Sequence, residues 1–434
     1  MNKNKRKVAF YTLGCKLNFA ETSTISRSFP EESFEKVSPD SGADIYVINT
    51  CTVTDTADRK CRQAIKKFRN LSPGAIIAVT GCYAQLRPEE ISSIPGVDLV
   101  LGMNEKYDVA SFIDRTVRRG KAEIYGCGTE ADDSFFNSWS VDDRTRSFLK
   151  VQDGCDYRCS YCTIPLARGG SRNPPISTII REAQDIVGHG VKEIVLTGVN
   201  TGDFGKSTGE TFAGLLRELV QVPGIERLRI SSIEPNLLTD EIIDMAASEN
   251  SIMPHFHIPL QSGSDRILGL MKRRYRREVF ADRLRAIIEK IPLAGIGADV
   301  ITGFPGETDS DFDDTYNFLK SLPVSYLHAF SFSARPDTPA EKMHGRISPA
   351  ITAERSRLLK NLSDEKHLEF CTINKGQTAS VLFEQTRSGG MITGLTGNYL
   401  RVEYPWKKEL VNTIREVRIG DPAPSGRLNI ELTD

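Results

Sequence analysis

No apolar stretch in the 434-residue sequence approaches the ~18–20 residues that a membrane helix needs. Net charge is almost absent too: 56 Lys and Arg stand against 57 Asp and Glu, a formal balance of −1. That excludes a chain-wide attraction to nucleic acid or to an acidic surface, so any polyanion site must be a local patch. A secretory leader is not expected either. Lys3, Lys5, Arg6 and Lys7 precede Val8, Ala9 and Phe10, but this apolar start is shorter than the ~7–15 residues of a signal segment and reads as a first β-strand. Nine cysteines, an odd number in a large chain without a leader, argue against a disulfide framework. The expectation is a cytoplasmic protein whose cysteines hold metal.

What the sequence does have is a tight cysteine group. Residues 153–162 read DGCDYRCSYC, which puts Cys155, Cys159 and Cys162 at C-x3-C-x2-C spacing behind a strand-like run at 147–152. A structural zinc site closes four protein ligands around the ion, and no fourth Cys or His stands nearby. Three thiolates on a four-iron cluster leave one iron open for another ligand. The spacing, with Tyr161 before the last cysteine, resembles the radical S-adenosylmethionine (SAM) superfamily. In that superfamily the open iron binds SAM, and one electron cleaves it to a 5′-deoxyadenosyl radical.

A second group is dispersed. Cys15, Cys51 and Cys82 each fall just past an apolar run, at 7–12, 43–49 and 75–80, and a fourth such run occupies 97–101. Helical patterns lie between, such as 55–70 with Ala57, Cys61, Ala64, Ile65 and Phe68 on one face. This alternation predicts an α/β domain with a Rossmann-like parallel sheet at 1–126. The carboxyl ends of parallel strands share one edge, so three cysteines distant in sequence can converge there on a second open cluster. Cys61 reads as core, and Cys127 and Cys371 as plain thiols.

Residues 127–146 read as a linker: the acidic stretch 130–133 is followed by Phe135, Phe136 and Trp139, aromatic anchors for a neighbouring domain. Six strand–helix units then follow over 147–340, with strands at 147–152, 192–197, 227–232, 255–260, 296–302 and 326–333. They predict a partial (β/α)6 barrel with its site at the carboxyl ends of the strands. Polar or Gly-rich loops recur there: Thr197, Gly198 and Asn200 after the second strand, Ser231 and Glu234 after the third, Gln261 after the fourth, Gly303 after the fifth. Glycine lets backbone approach a ligand closely, and Asn200, Ser231, Glu234 and Gln261 offer polar partners to SAM. The basic run 271–277, with five Lys or Arg around Tyr275, is either a solvated helix end or a phosphate contact. A helical connector at 341–375 leads to five short strands in 376–434. These predict an OB-like small β-barrel, a shape that either grips single-stranded nucleic acid or merely stabilises the chain.

Over essentially its whole length the chain resembles the radical SAM methylthiotransferases. Residues 12–18 (TLGCKLN), 49–54 (NTCTVT), 81–85 (GCYAQ), 255–264 (HFHIPLQSGS) and 299–308 (DVITGFPGET) carry the resemblance. It implies two [4Fe-4S] clusters, an auxiliary one on Cys15, Cys51 and Cys82 and a radical SAM one on Cys155, Cys159 and Cys162. It also implies that the terminal β domain is a TRAM domain. Tyr161, Asp299, Gly303 and Phe304 join the expected SAM contacts, and Lys16, Asn18, Arg168 and Arg335 are the expected substrate contacts. The Lys16-Leu17 pair and the CTVT run are similar to the branch that acts on N6-threonylcarbamoyladenosine beside the tRNA anticodon.

That branch methylthiolates C2 of the base with two SAM molecules, and its partners would be a tRNA anticodon stem-loop and an electron donor such as flavodoxin or ferredoxin, with no membrane. Its substrate carries a carboxylate, for which Lys16 and Arg335 are candidate cations. The chain departs from the family at Asp337, Leu166 and residues 169–172. Action on isopentenyladenosine tRNA or on a ribosomal protein side chain is the alternative, and a non-catalytic iron–sulfur RNA-binding protein is another.

Overall fold

The computed structural model describes residues 5–116, 120–127, 134–141 and 145–433. Lys3 and the acidic stretch 130–133 lie outside them. Short strands rich in Val and Ile build a six-stranded parallel sheet, in the order β2-β1-β3-β4-β5-β6. Its members are β1 (Arg6–Thr12), β2 (Phe34–Lys36), β3 (Ile45–Thr50), β4 (Ile76–Gly81), β5 (Leu99–Leu101) and β6 (Glu123–Tyr125). Parallel strands are covered on both faces. On one face α2 (Asp55–Leu71), N-capped by Thr54, buries Cys61, Ala64, Ile65 and Phe68, and Phe68 stacks on Tyr46 at 4.6 Å. Cys61 is therefore core, as expected. On the other, Val8, Ile25, Phe29 and Val47 pack together.

Parallel strands β7 (Arg146–Lys150), β8 (Glu193–Thr197) and β9 (Arg227–Ile230) form one three-stranded sheet. A second holds β10 (His255–His257), β11 (Gly295–Thr302) and β12 (Tyr326–Ser331). Bridges Leu228–Ile252 and Ser232–His257 join the two into one curved wall of six parallel strands. Its outer face and the surrounding helices make the largest apolar cluster. Trp139 and Phe136 anchor the preceding segment: Arg27 lies 4.0 Å over the Trp139 ring, and Phe136 stacks on Tyr107 at 4.5 Å.

The last five strands, β13 (Thr378–Ser388), β14 (Met391–Thr396), β15 (Arg401–Pro405), β16 (Ile414–Pro422) and β17 (Leu428–Leu432), close into a barrel in the order β13-β14-β15-β17-β16. This barrel stoppers the amino ends of the central strands. Arg227 donates to Leu395 and Ser380 carbonyls, and Arg229 donates to Gly397 O at 2.8 Å. Tyr399, held at a φ of 77°, stacks on His255 at 4.2 Å. The carboxyl ends of the same strands are left for chemistry. No helix among the described residues is long and apolar enough to cross a membrane.

Candidate active site

In the first sheet β1, β3 and β4 are neighbours, so their carboxyl ends lie side by side. Cys15 is the N-cap of α1 (Lys16–Arg27), Cys51 follows β3, and Cys82 opens α3 (Cys82–Leu86) directly after β4. Gly14 has a φ of 104°, and a Cβ there would meet the Cys51 Cβ at 2.6 Å. Only glycine allows that approach. Burial, reinforced by the Cys82 and Cys15 thiols, pushes Cys51 up to about 12. Thiols crowded in this way are a good set of ligands for iron, which replaces their protons.

Asn18 ties these loops together. Its Nδ2 donates to Leu13 O at 2.8 Å and to Thr50 O at 3.0 Å, and its Oδ1 accepts from Arg168 Nη2 at 2.7 Å. Arg168 is also bonded to Glu21 at 2.9 Å and to Asp153 at 3.0 Å. Both residues, expected as substrate contacts, are buried and bonded within this junction. The junction includes Lys106 at 2.7 Å from Glu21, and Lys150 at 2.7 Å from Asp153. Burial opposes ionisation of Glu21, but Arg168, Lys106 and Lys150 outweigh it and hold the carboxyl well below the usual range. The ion group thus links α1 to the start of the second cysteine loop.

That loop leaves β7. At Gly154, φ is 68° and a Cβ would meet Gly170 O at 1.8 Å, so glycine is needed where the loop passes residue 170. Burial is the main cause that lifts Cys162 to about 12 and Cys155 to about 11, and the other thiols of the group add to it. Arg273 Nη1 donates to Cys159 Sγ at 3.1 Å and pairs with Glu234. Arg274 Nη2 donates to Asp156 O at 2.9 Å, with its guanidinium 4.1 Å over the Tyr157 ring. The basic run is therefore partly internal: Arg273 and Arg274 brace the cysteine loop, a role hidden in a sequence where both read as surface charge.

The rim loops meet above this group. Thr197, Asn200 and Ser231 are buried, and among the described residues Asn200 Oδ1 and Ser231 Oγ have no hydrogen-bond partner. Gly198 leaves room for Gln152, whose Oε1 accepts from Asn200 N at 2.8 Å. Orphaned buried oxygens are costly unless a ligand satisfies them, and the polar ends of SAM are of the right kind. Other expected cofactor contacts have protein neighbours. Glu234 is taken by Arg273, and Phe304 is fully buried against Phe332 at 5.4 Å. Gly303 faces Thr352 of the helix Pro349–Asn374 rather than open space.

Between the two cysteine groups is a cavity of about 390 Å³ lined by Cys51, Cys162, Tyr161, Gln261, Asp299 and Phe330. Both groups thus face one space. Arg335 is buried beside it, bonded to Thr52 Oγ1 at 2.8 Å and paired with Asp58, so its charge is already matched. Lys16 points to the barrel floor, where Tyr399, Arg146 and Arg229 are its charged neighbours and burial lowers its pKa.

Residues 7–102 match the model of an uncharacterized protein family, UPF0004, and residues 149–319 match that of the radical SAM superfamily. The threonylcarbamoyladenosine tRNA methylthiotransferase MtaB of Bacillus subtilis is 41% identical over 95% of this chain and 93% of its own length. The protein of the same name from Aquifex aeolicus is 40% identical over 94% and 99%. A tRNA-2-methylthio-N(6)-dimethylallyladenosine synthase from Syntrophus aciditrophicus is 32% identical over 88% and 84%. Among solved structures, the radical SAM methyltransferase TsrM from Kitasatospora setae superposes with a TM-score of 0.55 at 15% identity, covering 90% of this chain and 80% of that one; this likeness concerns the fold. With its two cysteine groups around one cavity and relatives matched from end to end, the chain belongs to the radical SAM tRNA methylthiotransferase family and is an enzyme that transfers a methylthio group.

Proposed function

We propose that this enzyme methylthiolates C2 of N6-threonylcarbamoyladenosine at position 37 of tRNA, using two SAM molecules and two [4Fe-4S] clusters. The observation that carries the reading is the single cavity lined by both Cys51 and Cys162. A C2–H bond of adenine is out of reach of acid–base side chains, so the sulfur source and the radical source must reach one carbon together. Cys155, Cys159 and Cys162 would hold one cluster and Cys15, Cys51 and Cys82 the other. Bound there, the clusters and SAM supply the radical and the sulfur, chemistry that belongs to the cofactors.

The chain's own part is positioning. Arg273 fixes Cys159, Asn18 and Gly14 fix the first group, and Asn200 and Ser231 offer their free oxygens to SAM. Phe330, 46% exposed on the cavity wall, gives an extruded base an aromatic face to stack on. Electrons would come from a flavodoxin or ferredoxin. The substrate branch draws on the names of the Bacillus and Aquifex relatives.

The test offers reconstituted enzyme anticodon stem-loops bearing threonylcarbamoyl-, isopentenyl- or unmodified adenosine, with mass analysis of the nucleosides. Methylthiolation chiefly of the first is expected. Preference for the isopentenyl substrate refutes the reading.

A further inference from the structure

Deeper in the barrel, the inner wall carries a polar group that the positioning described so far leaves unused. In the ladder β10-β11-β12, His257 pairs with Gly297, and Asp299 pairs with His328. Alternate residues of a strand share one face, so the three side chains meet in one layer. Asp299 Oδ1 lies 3.1 Å from His257 Nε2 and 3.2 Å from His328 Nδ1. Burial opposes the charge on Asp299, but the His257 and His328 rings beside it outweigh this and hold the carboxyl well below its usual range. The His328 side chain is 51% exposed, and among the described residues its only hydrogen bond is made through Nδ1. Its Nε2 is thus the unpaired ring nitrogen of the group, a donor when the ring carries both protons, because Nδ1 keeps its own proton for the Asp299 carboxylate. The ring sits edge-on to Phe330 at 6.3 Å, and Phe330 and Asp299 both line the cavity shared by Cys51 and Cys162.

Adenine chemistry connects this group to the substrate. C2 and N6 lie on the same edge of the base, separated by N1 and C6. A base that presents C2 to the cysteine groups must therefore carry its N6 substituent into the same cavity. The other cations expected to meet a carboxylate are placed less well: Arg335 is paired with Asp58, and Lys16 stands beside Tyr399, Arg146 and Arg229 at the floor.

We propose that His257, Asp299 and His328 form the carboxylate subsite of this enzyme, with His328 Nε2 donating to the carboxylate of the N6 substituent and Asp299 holding the ring in place. This rests on the threonylcarbamoyl reading above. His328 then sets specificity: it rewards a substrate acid and leaves an apolar N6 group without a partner.

The test measures binding of fluorescent anticodon stem-loops to anaerobic holoenzyme by anisotropy. The probes carry N6-threonylcarbamoyladenosine, its methyl ester, or isopentenyladenosine. Wild type is expected to bind the acid roughly ten- to a hundredfold more tightly than the ester, the worth of one charge-assisted hydrogen bond. His328→Phe should bind acid and ester alike, while His328→Gln, which keeps a donor of similar reach, should recover part of the difference. Iron content and melting temperature report whether each variant is folded. If the wild type binds acid and ester equally, both above the isopentenyl probe, the subsite is wrong and the function stands. If it prefers the isopentenyl probe, the function reading itself fails. Loss of discrimination in Lys16→Ala but not in His328→Phe would move the seat to the barrel floor and overturn the assignment. So would one equivalent of a non-iron divalent metal that disappears with His328→Phe.

Discussion

The two cysteine groups reach the same cavity by opposite routes. Cys155, Cys159 and Cys162 sit in one loop, and their spacing alone brings them together. Cys15, Cys51 and Cys82 are brought together only because β1, β3 and β4 are adjacent and parallel. The local group is braced from outside by Arg273 and Arg274. The dispersed one is braced from within by Asn18 and by Arg168, which comes from the barrel. The local group therefore takes its shape from one braced loop, whereas the dispersed group needs a folded sheet docked on a folded barrel.

The largest expected effect separates the groups by task. Replacing Cys15, Cys51 and Cys82 with Ala should remove methylthio transfer altogether while reductive SAM cleavage continues, as read from 5′-deoxyadenosine and methionine. Replacing Cys155, Cys159 and Cys162 should stop both. Loss of SAM cleavage in the first variant, with its barrel intact, would erase the proposed division of labour.

Next in size is the junction. Arg168→Met removes one cation shared by Glu21 and Asp153, which keep Lys106 and Lys150, so the cost is that of charge-assisted hydrogen bonds, about 1.5–3 kcal/mol. Denaturant unfolding of the apoprotein, followed by Trp139 fluorescence, should show a loss of that order. No loss would mean that the two domains dock by apolar contacts alone.

A smaller effect is expected at the second group. Arg273→Ala deletes the N–H···S contact to Cys159 and leaves Glu234 unpaired. SAM cleavage should slow about tenfold, the worth of roughly 1.4 kcal/mol. Methylthio transfer should slow in parallel, because the first group is untouched.

The smallest is a pH effect with a definite sign. Glu21 and Asp153 have carboxyls held below their ordinary values. Their contribution is present above the unfolded-state value of roughly 4 and is lost as pH falls below it toward the folded value. Apoprotein stability should drop on acidification below about pH 4, and Arg168→Met should flatten that drop.

How much of this could be read beforehand follows the same contrast. The C-x3-C-x2-C loop and the central Val- and Ile-rich strands are local patterns, and the barrel strands and helices such as Ile176–Gly188 and Asp309–Ser321 stand where periodicity puts them. Edge strands β2 and β6 are three residues each, FEK and EIY, too short for a period to register. Side-chain roles were harder. Asn18, Arg168 and Arg335 are polar residues near cysteines, which suggests substrate contact, but a sequence does not show that ion partners such as Glu21 and Asp58 are folded against them. Arg273 has the reverse history: a residue in a basic run is buried at a thiol because the turn after the helix Asp265–Leu270 folds back over the loop. His328 carries no motif, and only the register of β11 and β12 places it on Asp299.

The account's central claim is that each group of three cysteines holds its own cluster at one shared cavity. Iron analysis after anaerobic reconstitution tests it most directly. With four irons per cluster, the wild type should hold about eight irons per chain, and either triple-Ala variant about four. A wild type that holds about four irons, or a triple variant that keeps the wild-type iron content, would contradict it.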